Sequence, residues 1–203
     1  MTYLGTQPND VKKNRGLYTP SEILQLEKDG HWSGSLELIE EQTVSSVANV
    51  EFTNLGNYDV HYLTVNDLKV VSDNKWLQVR FYEGGVLETA SVYQFAELVG
   101  IATGTFYAAK TSANGYIQFM TGANVGNATN EIGNAYCYFY NLTNSAKYSF
   151  LTNQCVVTSP STNLNMNFGG GCLPQASEVT GIQLILSSGN ISSATMKLYG
   201  VKQ

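Results

Sequence analysis

The sequence runs to 203 residues with a net charge of −5, and only 13% of its residues are charged, about half the ~25% usual in soluble domains. Its two arginines, Arg15 and Arg80, do not supply the basic footprint that nucleic acid demands, and no run approaches the ~20 apolar residues of a membrane helix. Asn, Ser, Thr, 19 Gly and 13 Tyr take the place of charge, which suits a β-protein that packs on copies of itself or presents neutral hydrogen-bonding groups.

Residues 1–34 are predicted to form an anchoring arm with one short helix. "MTYLGTQPNDVKKNRG" carries turn residues and no hydrophobic period, so it reads as an extended arm ordered by a neighbour. "LYTPSEILQLEKDGHW" is the one strong helical signal. Thr19 is the N-cap, Pro20 fits the first helical position, and Glu22 completes a T-x-x-E capping box. Tyr18 and Ile23 stand where a hydrophobic staple would put them, and Gly30 supplies the stop. A helix this short does not persist alone in water. Its residues Tyr18, Pro20, Ile23, Leu24 and Leu26 are therefore expected to dock on another protein, or else on the chain's own body.

Residues 35–203 read as short strands separated by Gly, Asn, Asp and Ser. In "WLQVRFYE" Leu77, Val79 and Phe81 share one face, the period of two that marks a half-buried strand. "VYQFAELVG" is predicted to hold one helical turn between strands, and "FGGGCLP" to be a flexible or tightly turning loop. The segment "GIQLILSSGNISSATMKLYGVKQ" reads as strand, tight turn and strand, with positive φ expected at Gly189 and Asn190. Its last strand is too apolar for a free edge and belongs inside a sheet. Eight to ten strands without amphipathic helices predict a jelly-roll-like antiparallel β-sandwich, with a single-sheet barrel as the alternative.

The inventory of reactive groups is thin. His31 sits beside Trp32, and His61 has only Asp59 at strand spacing, which reads as a surface pair. Cys137, Cys155 and Cys172 are odd in number and widely spaced, so neither a disulfide framework nor a zinc site is expected. The acids of the sandwich, Asp59, Asp67, Asp73, Glu83, Glu88, Glu97, Glu131 and Glu178, sit mostly beside turns and form no recognisable constellation. The expectation is a protein without cofactor, metal or enzymatic activity. The most distinctive stretch is "AYCYFYNL": Tyr136, Tyr138 and Tyr140 line one strand face and Cys137 and Phe139 the other. Outward tyrosines would serve a subunit interface or stack on sugar rings; burial on both sides is the alternative.

The opening "MTYLGTQPNDVKKNRGLYTPSEILQLEKDGHWSGSLELI" resembles leader segments of small structural proteins of tailed bacteriophages, particularly those of marine bacteria and cyanobacteria. "VTGIQLILSSGNISSATMKLYGVK" resembles the last hairpin of the jelly-roll-like domains attached to such leaders, and "VEFTNL", "YLTVNDL" and "WLQVRFYEGG" resemble their first strands. Residues from about 100 to 175 carry no such likeness. The resemblance implies a non-enzymatic virion structural protein, made in the host cytoplasm and anchored to other virion proteins through its arm. With the composition it points to a tail-fibre-like or tail-associated adhesion protein, a homotrimer that contacts the host cell surface, including its glycans. A capsid decoration or cement protein is the second reading, and a carbohydrate-binding module or glycan-degrading enzyme is the third.

Overall fold

The computed structural model describes residues 19–28, 35–120, 122 and 124–202. The extended arm, Tyr18, Gly30, His31 and Trp32 lie outside the described residues. The chain divides into two compact units, the larger being Leu38–Val201.

The smaller unit contains helix α1 (Pro20–Lys28). Its start is the capping box expected from T-x-x-E. The Thr19 backbone N and hydroxyl donate to Glu22 Oε2 at 2.7 and 2.8 Å, and Glu22 N donates to Thr19 Oγ1 at 3.3 Å. The Thr19 backbone and hydroxyl donors hold the Glu22 carboxyl below its ordinary value. Ile23 and Leu26 are half-buried, and Leu24 is 51% exposed. In the same unit Lys202 N donates to Ser35 O at 2.9 Å, and its ammonium lies 3.2 Å from Glu37.

The larger unit is a sandwich of two antiparallel sheets with a jelly-roll-like arrangement. The eight-stranded sheet runs β1 (Leu36–Val47), β13 (Ile191–Val201), β3 (Val60–Val70), β9 (Gly133–Tyr140), β10 (Ser149–Thr158), β11 (Leu164–Leu173), β6 (Tyr93–Ile101) and β7 (Thr105–Asn114). The smaller sheet runs β2 (Asn49–Phe52), β12 (Val179–Leu186) and β4 (Leu77–Glu83). The short strands β5 (Val86–Leu87) and β8 (Ile117–Gln118) share the free side of β4. The core lies between the layers. Phe81 of β4 meets Tyr93 of β6 and Phe139 of β9 with ring centroids 6.0 and 5.9 Å apart. The buried Tyr93 hydroxyl is satisfied at both ends, accepting from Phe81 N at 2.9 Å and donating to Glu88 O at 3.2 Å.

Three sequence expectations change. The segment from 181 onward is not a hairpin: β12 pairs with β2 and β4, whereas β13 pairs with β3 in the other sheet. The "SSGN" turn carries the chain across the sandwich, and only Gly189 takes the positive φ (73°). β12 is covered on both faces: Ile182 and Leu184 are fully buried on one, and on the other Gln183 is only 4% exposed and donates to Glu51 at 2.8 Å. The expectation that the last strand sits inside a sheet does hold, since β13 lies between β1 and β3.

"VYQFAELVG" is strand β6, not a helical turn. Tyr93, Phe95, Glu97 and Val99 point inward in strict alternation. Glu97 looks like a solvent residue but is anchored inside: Asn153 Nδ2 and Asn167 Nδ2 donate to its two oxygens at 3.1 and 2.5 Å. "FGGGCLP" likewise falls largely in strand β11 instead of a loop. Its glycines answer to crowding: a Cβ on Gly170 would stand 2.6 Å from Leu151 O, and one on Gly171 2.6 Å from Ile117. At these glycines the neighbouring residues leave no room for a Cβ.

Candidate binding face of the larger sheet

Alternation in the central strands sends one row of side chains inward and the other to the outer face. On β9 Cys137 and Phe139 are buried, while Tyr136 and Tyr138 are 40% and 37% exposed and Tyr140 is half-buried. The three tyrosines singled out in the sequence therefore share the outer face, and the doubly buried alternative does not describe this strand. Register adds partners that the sequence could not show. Tyr62 of β3 and Thr152 of β10 flank Tyr138, and Phe150 stands beside Tyr140.

These neighbours form an aromatic cluster. Tyr62 lies 4.7 Å from Tyr138 and 6.1 Å from both Tyr136 and Tyr199, centroid to centroid. Offset and tilted packing of this kind adds to the stabilisation from burial alone. Burial pushes the Tyr62 phenol above its ordinary value, and the phenols of Tyr138, Tyr136 and Tyr199 push it the same way. It stays a neutral donor at any physiological pH. Tyr136 OH donates to Gln154 Oε1 at 2.7 Å, and the hydroxyls of Tyr140 and Thr152 are 3.3 Å apart. The cluster is thus held in fixed orientation, with Phe150 and Phe168 beyond it at 43% and 47% exposure.

A groove of about 840 Å³ crosses β10, β11, β6 and β7 on this face. Two register rows line it. One runs Tyr140, Phe150, Cys172 and Gln94; the other runs Thr152, Gly170, Ala96 and Lys110. Gly170 and Ala96 have almost no side chain, so the sheet is hollow there. Phe150 and Tyr140 stand at one end and Lys110 at the other. A smaller hollow of about 300 Å³ lies beside Tyr62, Tyr136 and Gln154. No protein-family model matches this chain, and no curated protein sequence is similar to it.

The remaining sequence candidates separate cleanly. Pro20, Ile23, Leu24 and Leu26 lie on α1, and Tyr18 is outside the described residues. Asp59 and His61 do not form a surface pair. His61 faces the core, donates from Nε2 to Leu55 O at 2.8 Å and meets Tyr58 edge-on, whereas Asp59 precedes β3 and is exposed. Burial lowers the His61 pKa, and the Leu55 carbonyl only partly opposes this.

The Glu97, Asn153, Asn167 and Cys155 cluster is buried. Cys155 Sγ donates to Asn167 Oδ1, and Asn153 Nδ2 also reaches Phe119 O at 2.8 Å. Burial pushes the Cys155 thiol up to about 12, so it is a packed thiol, not a nucleophile. Among the described residues no group of three or more His, Cys, Asp or Glu side chains is placed to hold a metal ion, and no helix is long and apolar enough to cross a membrane.

Sequence reasoning missed Tyr62, Phe150, Thr152, Gln94, Lys110 and Cys172 as members of this face. In "KYSFLTNQCVV" the alternation of Phe150, Thr152, Gln154 and Val156 was a usable signal for an outward row. Which strands lie beside it was not.

Proposed function

We propose that the chain is a non-catalytic structural protein of a tailed-bacteriophage particle, tail-fibre-like and adhesive, displayed as a homotrimer. In this reading α1 docks on another particle protein and the outer face of the larger sheet meets the host surface. The observation that carries it is the outer face itself. Tyr136, Tyr138, Phe150 and Phe168 are each more than one-third exposed on one continuous sheet, and exposed apolar patches of that kind mark contact surfaces. The capped helix supports the docking role, because Leu24 is exposed on an element too short to stand alone. The likeness of both ends of the chain to phage leader and jelly-roll segments supports the setting.

Particle incorporation tests the anchoring. Replacing Ile23 and Leu24 with Asp is expected to leave the sandwich folded, by circular dichroism, and to remove the protein from assembled particles. Incorporation at the wild-type level sinks the docking role. Copy number separates the two placements: a dozen or two copies per particle fits a tail appendage, while hundreds fit a capsid decoration. Native mass measurement of the purified chain checks the trimer. Incubation with host polysaccharide should release no reducing ends; steady release overturns the non-catalytic reading.

A further inference from the structure

The five outer strands β9, β10, β11, β6 and β7 contain one carboxylate and one cation between them. The carboxylate is Glu97, only 4% exposed and directed into the core. The cation is Lys110, exposed at one end of the groove, with no salt-bridge partner among the described residues. A chain of net charge −5 thus has an acid-free hollow with a single free ammonium. The groove volume of about 840 Å³ lies within the range of small-ligand sites, ~300–1,000 Å³.

Its two ends differ in chemistry. Phe150 and Tyr140 offer ring surface at one end, with the Tyr140 and Thr152 hydroxyls paired beside them at 3.3 Å. Lys110 stands three strands from Phe150, about 14 Å at the usual spacing. Between them the floor is Gly170 and Ala96, rimmed by the hydrogen-bonding side chains of Thr152, Gln94 and Ser112. A flat apolar wall, scattered neutral donors and acceptors, and a distant lone cation together describe a chain-like ligand with apolar ring faces, many hydroxyls and a negative charge. A second copy of this face fits less well. Groove would meet groove, and the two hollow floors of Gly170 and Ala96 would leave the space between them unfilled.

We propose that this groove binds a short acidic saccharide, with one sugar ring packed on Phe150 and Tyr140 and a carboxylate further along paired with Lys110. The proposal rests on the outer face being the contact surface and adds the chemical class of what it contacts. Gly170 and Ala96 are specificity residues in this picture, because any larger side chain on the floor closes the path between the two ends. Lys110 selects acid over neutral sugar, and the aromatic end supplies affinity common to both.

The test uses the full-length protein, a uronic-acid trisaccharide and the neutral trisaccharide of the same linkage. Cys172 lines the groove and is half-exposed, while Cys137 and Cys155 are buried, so its alkylation rate reports occupancy. The uronate is expected to slow alkylation and to bind several-fold more tightly than the neutral sugar. Lys110→Gln should cost roughly threefold to fivefold with the uronate and leave the neutral sugar unchanged. Phe150→Ala should weaken both by about tenfold, and Ala96→Phe should abolish both while circular dichroism stays native.

Equal binding of the two sugars, or full binding by Ala96→Phe, overturns the proposal. So does a native mass showing self-association that shields Cys172 without any sugar, which assigns the groove to a second copy. Particle incorporation is read separately: these variants should all incorporate. Failure of sugar binding therefore leaves the anchoring reading standing, and failure of incorporation leaves the groove standing.

Discussion

At the residue scale, His61 is a pH-dependent weak point. Its ring is buried against Leu55 O and Tyr58, and burial holds its pKa below the ordinary value near 6.5. Above that value both folded and unfolded forms are neutral at this position, and it contributes no pH dependence. As pH falls below 6.5 the unfolded chain takes up a proton that the folded chain refuses, so stability drops until the folded pKa is reached. The slope for one such group is at most about 1.4 kcal/mol per pH unit. Urea midpoints measured from pH 7.5 to 5 should fall over the acid half of that range for the wild type. A His61→Gln variant should flatten that fall; an unchanged slope would show that other groups cause it. The sequence placed His61 on a strand but not on its inward face, because Asp59 at two residues' distance suggested a shared strand that in fact begins at Val60.

At the scale of elements, the period of two identified most strands correctly, and its failures have physical causes. β4 was readable because Leu77, Val79 and Phe81 are all core. β6 was obscured by Ala96, Glu97 and Leu98, good helix formers held in a strand by tertiary pairing with β11 and β7. β11 was obscured by residues 169–171, whose glycines suggested a turn but serve close strand approach. For residues 181–201 the two strands and the turn were legible, whereas their membership of different sheets depends on distant partners. Local pattern gives strand identity; pairing across long separations does not show in it. Half of the binding face was open to inspection for the same reason. Tyr136, Tyr138 and Tyr140 sit in one strand, but Tyr62, Phe150 and Lys110 join them only through register.

The crossing of β12 also carries a prediction. Leu184 pairs with Val50 of β2 on one side and Val79 of β4 on the other, and it is fully buried. Leu184→Asp should cost more than about 3 kcal/mol, because it places a charge among the fully buried side chains of Ile182, Val79 and Phe81. Loss of the cooperative urea transition is the expected readout. A folded variant with a near-native midpoint would mean that the two layers can part locally at β12.

For the molecule as a whole, the three thiols offer a measure of how the sandwich opens. Burial holds the Cys137 thiol well above its ordinary value and the Cys155 thiol at about 12, while Cys172 is raised less and is partly accessible. Only one thiol should react with iodoacetamide in the native state. The other two should react together, at a rate that follows the global unfolding equilibrium. Reaction of Cys155 ahead of Cys137 at low urea would show that β10 opens apart from β9, and that the larger sheet does not open as one cooperative body.

The order of strands in the larger sheet has a consequence for synthesis. β1 lies beside β13, joined to it by the Lys197–Glu41 ion pair at 3.1 Å and the Thr43–Thr195 hydroxyl contact at 3.3 Å. β1 therefore leaves the ribosome long before its partner exists, and β3 must also wait for β13 on one side. The nascent chain carries these unpaired ladders through most of translation, when pairing with a stranger is the chief danger. Three glutamates on β1 (Glu37, Glu40 and Glu41) give that waiting strand the charge that keeps such encounters rare.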